Sequence, residues 1–486
     1  MPKEGCNSYI VTMTNWTPDL TARPGPRYRA IADAIADDVA AGRLSPGTRL
    51  PPQRDLAYRL KVTVGTVTRA YGEAERRGLI GGEVGRGTFV RGSPHPPSPV
   101  TGFAGPDGDG FPAGPAPMID LTVSQPSLQD LAGAGVGVGP AVLRRLADEG
   151  GLERLLRYQP HGGVPAHRSA GAAWLARQGV ETSAERVIVT SGGQSGLALA
   201  LLSLAAMGDT VLVEQLTYPG VKAMASTFGL RLQPVAIDGD GMMPDALDAA
   251  CRTHRPRAIY MMPNLHNPTL ATMPAERRRR IVAVAAGHQV PIVEDDVFGS
   301  LLDRHEPPLA TLAPDQVLYV TSLSKSIAPG LRIGYLSCPH ALIGRVEQVL
   351  RSVSWMASPL GGEIARIWIE DGTADRIGRE RREETQARQA LARGILGRHA
   401  GGTPPCAPHI WLRLPEPWRR EEFAADLMRR GVRVALADAF VVGRAPAPHA
   451  VRVNVTSPDR RDDLALALRT IADVLARPDG LTLSIV

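Results

Sequence analysis

Residues 93–117 read SPHPPSPVTGFAGPDGDGFPAGPAP, and almost every position is Pro, Gly, Ala, Ser or Asp. Such a run has too little apolar surface to offset the entropy of ordering it, so it reads as a linker. Proline makes it partly extended, and glycine keeps it from being rigid. A chain of 486 residues interrupted in this way is expected to build separate bodies on either side, from residues 21–92 and from residues 118–486. No apolar run reaches the roughly 18 residues of a spanning helix. The opening MPKEGCNSYIVTMTNW has no apolar stretch of a secretory signal. The four cysteines (Cys6, Cys251, Cys338, Cys406) show neither paired nor metal-ligand spacing. Together these features lead to the expectation of a reducing cytoplasm, with no membrane and no metal as partner.

The smaller segment is the charged one. Residues 21–92 hold thirteen Lys and Arg against seven Asp and Glu, which accounts for the whole formal net charge of +6. A basic unit on a neutral body is the asymmetry of a nucleic-acid binder, and pattern must decide whether it is more than a solvated face. Ile31, Ile35 and Val39 recur every four residues and predict one apolar helix stripe. LSPGTRLPP breaks it. RDLAYRL makes a second short helix with Leu56 and Leu60 on one face. Thr63 then caps a helix running to about Arg77, with Val67, Tyr71 and Ala74 turned inward. ERRGLIGGEVGRGTFV closes the unit as a hairpin with glycines at its turns.

A helix, a helix–turn–helix pair and a β-wing form a winged helix-turn-helix. Its second paired helix enters the major groove. The run GRLSPGTRLPPQRDLAYRLKVTVGTVTRAYGEAERRGLIGGEVGRGTFV resembles the DNA-binding domain of the GntR family. The resemblance implies a double-stranded DNA operator as partner. Arg54 would contact it from the first helix of the pair, Thr63, Thr66 and Arg69 from the recognition helix, and Arg86 and Gly87 from the wing tip. The family often has arginine where Val64 stands and a polar residue where Gly65 stands. Bidentate arginine on guanine is the commonest specific base contact, so its absence implies a different base preference.

In residues 118–486, short apolar runs (RVIVTSGG, DTVLVEQ, RAIYMMP, PIVEDD, QVLYVTSLSK) alternate with helical patterns. Near-continuous apolar strands between amphipathic segments indicate an α/β domain with a largely parallel sheet. From about residue 375 an Arg/Glu-rich helix leads into HIWLRL, VRVAL and AVRVNV, which read as a smaller α+β lobe over 375–486. The run ERRRRI, Glu276 to Ile281, reads as a solvated helix face.

The chemistry centres on one residue. Only four of the 55 basic residues are lysine (Lys3, Lys61, Lys222, Lys325). An amine can lose its proton and attack a carbonyl, and a guanidinium cannot, so a lysine kept among arginines is a candidate for carbonyl chemistry. Lys325 follows the strand QVLYVTSLS, at the end where α/β ligand sites form, beside Ser322, Ser324 and Arg332. TSGGQSG, after another strand, exposes backbone N–H groups at a helix start and makes a phosphate cradle. PNLHNPT follows a third strand. PIVEDD ends a fourth on adjacent acids, one of which can pair with a protonated pyridine nitrogen.

In that order, these segments resemble a fold-type I aminotransferase, and the two-part chain resembles the MocR subfamily of GntR transcriptional regulators. The resemblance implies a multidomain chain with pyridoxal 5′-phosphate as cofactor. Lys325 would carry it as an internal aldimine, Asp295 would pair with the pyridine nitrogen, and Asn267 would reach the phenolic oxygen. Tyr218 would stack on the ring, while Gly192, Gly193, Gln194, Ser322, Ser324 and Arg332 would surround the phosphate. Arg452 would take an effector's α-carboxylate. Tyr158 matches a tyrosine that reaches the partner subunit, which implies a head-to-tail homodimer. Phe298 stands where the family has a tyrosine that also bonds the phenolic oxygen. The expected function is therefore a DNA-binding regulator that senses pyridoxal phosphate or a reactive amine or amino acid. The alternative is a working aminotransferase with an appended DNA-binding unit.

Overall fold

The computed structural model describes residues 16–20, 25–41, 43–44, 48–77, 79–83, 87–90, 118–126, 140–148, 151–303 and 306–477. The expected linker 93–117, Arg86 and Cys6 lie outside them. The chain divides into two compact units, residues 1–108 and 109–486.

In the first unit α1 (Arg27–Ala40), α2 (Gln53–Leu60) and α3 (Val64–Arg76) precede the antiparallel hairpin β1 (Ile80–Glu83) and β2 (Gly87–Val90), paired Ile80 to Val90. The apolar stripe does the packing. Ile31, Ile35, Leu56, Val67, Ala70, Tyr71 and Ala74 are buried with Ile80 and Val90, while Val39 and Leu60 are covered only in part. Lys61 adopts a left-handed φ of 50° between α2 and α3 and turns the chain there. The Thr63 hydroxyl caps α3 by accepting from the Thr66 N–H at 3.2 Å. The buried Tyr71 hydroxyl donates to the Pro51 carbonyl at 2.8 Å and ties α3 to the start of α2. Arg77, at the end of α3, pairs with Asp33 of α1 and Glu73 of α3.

The second unit opens with β3 (Ile119–Asp120) and is organised by a seven-stranded sheet. Its strands are β4 (Val187–Thr190), β5 (Thr210–Glu214), β6 (Arg231–Val235), β9 (Ala258–Met261), β10 (Ile292–Asp295), β11 (Val317–Ser322) and β12 (Gly334–Ser337), in the order β4-β12-β11-β10-β9-β5-β6. The pair β7 (Ile237–Asp238) and β8 (Gly241–Met242) forms a separate short hairpin. Only β12 runs antiparallel to its neighbours. β4, β9, β10 and β11 are buried along their length. This explains why they read as continuous apolar runs: each face of the sheet carries its own core. At Gly334 a Cβ would meet the Thr321 carbonyl oxygen at 2.7 Å and the Gly192 backbone at 2.9 Å, so only glycine lets the loop after β4 lie against the start of β12.

The smaller lobe packs the long helix Thr373–Leu396 and the helix Arg461–Leu475 on the antiparallel sheet β13 (His409–Arg413), β16 (Ala450–Asn454) and β15 (Ala435–Leu436). Between them β14 (Val432–Arg433) pairs in parallel with β3, so residues 119–121 also join this lobe although they lie over 250 positions from its other strands. ERRRRI departs from the solvated face expected of it. Arg277, Arg279 and Arg280 make surface ion pairs, but Arg278 is fully buried, donating to the Met273 carbonyl at 2.8 Å and to Asn264 Oδ1 at 2.6 Å. At 100° per residue position 278 shares its face with Ile281 and Ala285, which point into the core. Among the described residues no helix is long and apolar enough to cross a membrane.

Candidate functional site

The site lies at the C-terminal ends of β4, β9, β10 and β11, the edge where open α/β sheets collect ligands. At the end of β11, the Ser322 hydroxyl accepts from the Ser324 N–H at 3.1 Å and donates to the Ser324 hydroxyl at 3.0 Å, which tightens the turn into Lys325. The Lys325 amine donates to the backbone carbonyl of Ser124. Burial pushes that amine down to about 8; Arg452 and Arg332 push the same way, and Asp295 opposes them. A desolvated amine among cations is an available nucleophile near neutral pH.

Asp295 is the last residue of β10 and is buried. Its Oδ2 accepts from the Tyr260 hydroxyl at 2.8 Å, while its Oδ1 is buried without a hydrogen-bond partner. Burial raises this carboxyl to about 7 in spite of the Tyr260 bond and the Val297 backbone N–H, and Asp296 and Glu214 add to the rise. An unpaired buried carboxylate oxygen is costly until a donor meets it, and a pyridinium N–H is such a donor.

Asn267 and Arg452 come from opposite lobes. Asn267 sits on the loop after β9, and Arg452 is in the middle of β16. Arg452 Nη1 donates to Asn267 Oδ1 at 2.8 Å, and Nη2 donates to the Thr122 carbonyl. The guanidinium carbon lies 5.0 Å from the centre of the Phe440 ring, and burial lowers the group to about 10. The Arg452 Nε is buried with no hydrogen-bond partner, a donor left for an acidic ligand. The loop carrying Asn267 is held from beneath. Asp296 accepts from Asn264 Nδ2 at 3.0 Å and from the Tyr319 hydroxyl, which makes Asp296 a support for this loop.

The turn after β4 also meets Arg332 and Tyr218. Gly192 precedes the helix Gly193–Leu204 with φ of 88°, and a Cβ there would meet the Arg332 guanidinium at 2.8 Å. Arg332, itself left-handed at φ 52°, donates to the Ser191 carbonyl at 3.2 Å. Gln194 Nε2, in the first turn of that helix, donates to the Tyr218 hydroxyl at 3.2 Å. Backbone N–H groups, a helix N-terminus and a guanidinium thus face one place.

The structure therefore brings together Lys325, Asp295, Asn267, Arg452, Tyr218, Arg332, Ser322, Ser324 and the Gly192–Gly193–Gln194 turn. Tyr158 stands apart. It is 82% exposed, with its ring 5.7 Å from that of Trp355. Phe298 is buried, and its ring lies 6.3 Å from that of His409. Sequence reasoning passed over Tyr260, Thr122, Ser124 and His409. Tyr260 left a usable signal as the one hydroxyl in the apolar run RAIYMM. Thr122 and Ser124 left none, because β3 brings them across the fold.

On the first unit, Arg54, Thr63 and Arg69 are exposed and Thr66 is half-buried. The Thr63 and Thr66 hydroxyls lie 2.9 Å apart at the start of α3. The Arg69 guanidinium lies 4.5 Å from the centre of the Tyr28 ring. Gly87 begins β2 opposite Glu83. A contact not expected from sequence, Thr68 Oγ1 to Gln53 Oε1 at 2.7 Å, joins the two paired helices.

Residues 116–468 match the family described as aminotransferase class I and II, and residues 27–90 match the bacterial regulatory proteins of the gntR family. The uncharacterized HTH-type transcriptional regulator YdeF of Bacillus subtilis is 30% identical, covering 96% of this chain and 98% of its own. The vitamin B6 salvage pathway transcriptional repressor PtsJ of Salmonella typhimurium is 28% identical (89% and 95% covered). The probable rhizopine catabolism regulatory protein MocR of Rhizobium meliloti is 28% identical (77% and 78% covered). Among solved structures, an archaeal alanine:glyoxylate aminotransferase matches with a TM-score of 0.65 and 25% identity, over 74% of this chain and 90% of its own.

Proposed function

The chain belongs to the class I and II aminotransferases and carries a gntR-family unit at its N-terminal end; from that premise we propose that it is a DNA-binding transcription regulator of the MocR type whose body holds pyridoxal phosphate. It senses that cofactor, or an amine or amino acid that reacts with it. The observation that carries the reading is the orphaned Asp295 Oδ1 within one buried constellation that also holds Lys325, on a chain with a capped recognition helix.

The residues fit the cofactor. Lys325 would hold its aldehyde carbon, Asp295 its ring nitrogen, Asn267 its phenolic oxygen, and Tyr218 its ring face. Arg332, Ser322, Ser324 and the N–H groups after Gly192 would hold its phosphate. When bound, the cofactor supplies a carbonyl that exchanges between amines and a ring that accepts electrons. The protein's own part is binding and proton control. With its amine lowered to about 8, about a tenth of Lys325 is unprotonated at pH 7, against well under a hundredth for an ordinary lysine. Asp295 offers the pyridine nitrogen an acceptor that water cannot reach, and Arg452 offers a carboxylate its Nε.

An effector carboxylate that pairs two-pronged with Arg452 uses Nε and one Nη, competes with Asn267 or Thr122 for that second donor, and so has different affinity for two arrangements of these contacts. Such a difference is what a ligand needs to shift a population. We further propose a head-to-tail homodimer formed through the exposed Tyr158 and Trp355, whose rings pack together, with residues 93–117 as linker and the cytoplasm as location. Operator DNA is met by Arg54, Thr63, Thr66, Arg69, Arg86 and Gly87.

The test is a gel shift on the intergenic operator with pyridoxal phosphate and candidate amino acids added singly. A ligand-dependent change in affinity or footprint is the expected result; an identical shift in every lane removes the sensing role. Rapid conversion of the cofactor to its amine form with an amino acid would instead favour the working aminotransferase, whose fold the solved structures share.

A further inference from the structure

Two bonds from the smaller lobe converge on one dipeptide of the larger. Arg452 holds the Asn267 side chain, and His409 Nε2 lies 2.9 Å from the Pro268 carbonyl oxygen. His409 is the first residue of β13, opposite Asn454 on β16, and its side chain is wholly buried. Its backbone is fixed as well, since Gln389 Nε2 donates to the carbonyls of Ala407 and His409. Burial pushes the imidazole well below its ordinary range, and the Arg452 charge pushes the same way, so the ring is neutral. A carbonyl only accepts. Nε2 therefore carries the proton, and Nδ1 keeps a lone pair, buried without a partner. Removing the ring would strand the Pro268 carbonyl in the interior.

Asn267 is the residue that this bond serves. Its Oδ1 is taken by Arg452, which turns its NH2 to the other side. Position 298 is phenylalanine and has no hydroxyl to give. The Asn267 NH2 would thus be the phenolic-oxygen contact that remains of the two the resemblance implies, and whatever fixes it would bear on the cofactor's acidity.

We propose that His409 is a positioning residue for Asn267: from the smaller lobe it holds the Pro268 carbonyl and so keeps the Asn267 amide set for the cofactor's phenolic oxygen. The inference rests on pyridoxal phosphate binding at Lys325.

The test uses the full-length dimeric or monomeric chain as purified and reads two quantities. These are the affinity for pyridoxal phosphate by equilibrium dialysis and the pH midpoint of the visible band of the bound cofactor. His409→Phe keeps the ring volume and loses the donor; affinity should fall about tenfold, and the midpoint should move up as the phenolate loses its partner. His409→Gln, whose amide reaches as far as Nε2, should restore both values. In an Asn267→Ala background His409→Phe should add nothing, because the effect passes through Asn267. If the phenylalanine variant does not fold, His409→Asn, polar but too short to reach Pro268, is read in its place. Wild-type affinity and midpoint in the donor-less variant overturn the inference, as does a full shift in the Asn267→Ala background. Absence of any visible band in the wild type overturns the cofactor reading instead.

Discussion

The winged unit and the body put their candidate contact groups in opposite environments. On the first, Arg54, Thr63 and Arg69 stand in water over a small core of Ile31, Ile35, Leu56, Val67 and Tyr71. In the second, Asp295, Asn267 and Arg452 are buried, and Asp295 and Arg452 each keep a polar atom unmatched. The difference teaches where each unit's energy is held. An exposed group can meet a partner without having been desolvated during folding. A buried, half-satisfied group makes the unliganded fold less stable than it could be, and a ligand recovers that stability.

Substitutions should separate the two kinds of site. Lys325→Ala should have the largest effect, removing the visible band of bound pyridoxal phosphate altogether while operator binding without ligand persists; a band that remained would move the attachment point elsewhere. Asp295→Asn should weaken pyridoxal phosphate about a hundredfold, the scale of losing one partner of a buried charged pair. The same variant should also stabilise the cofactor-free protein. A carboxyl raised to about 7 is a buried charge above that pH, so its penalty is present at pH 8, shrinks below 7 and vanishes below the unfolded value near 4. Thermal melts of the two cofactor-free proteins at pH 8 and pH 4 should therefore differ at the first and agree at the second.

Cofactor capture by Lys325 should fall about tenfold per pH unit below the amine's value of about 8 and level off above it, measured as the rate of band formation. On the winged unit, Arg54→Ala should weaken operator and non-specific DNA alike by about tenfold and lower the salt slope by about one, with no change in melting. Tyr71→Phe should do the reverse. Loss of its bond to the Pro51 carbonyl costs about 1 kcal/mol of stability, seen in denaturant unfolding, and leaves the cofactor site untouched. An Arg54 variant that melts early, or a Tyr71 variant that disturbs the cofactor band, would break the division between the two regions.

Much of this was legible in the chain. Ile31, Ile35, Val67 and Tyr71 sit one turn apart and mark inward helix faces, because the α-helical period carries that information locally. The strands RVIVT, RAIYMM and PIVED are apolar because both faces of the sheet are covered, and the ligand-bearing ends follow from that placement. Arg278 shows the limit. In ERRRRI four identical residues give no sign of which one turns inward; the helix phase against Ile281 decides it.

The sequence by itself determined that a lysine, Lys325, follows a buried strand, that Asp295 ends another, and that Phe298 brings no hydroxyl, because these depend on residue type and on period along one segment. It also determined the basic helical unit before the proline-rich run. Only the tertiary structure decided what those groups meet. β3 crosses to the far lobe and brings Thr122 to Arg452 and Ser124 to Lys325. Tyr260 reaches Asp295 from the neighbouring strand, and His409 grips Pro268 across the lobes. These contacts join residues from 35 to 330 positions apart, or bring together strands ordered by the sheet and not by the chain. Hydrogen-bond partners at such distances are set by packing, which no local pattern encodes.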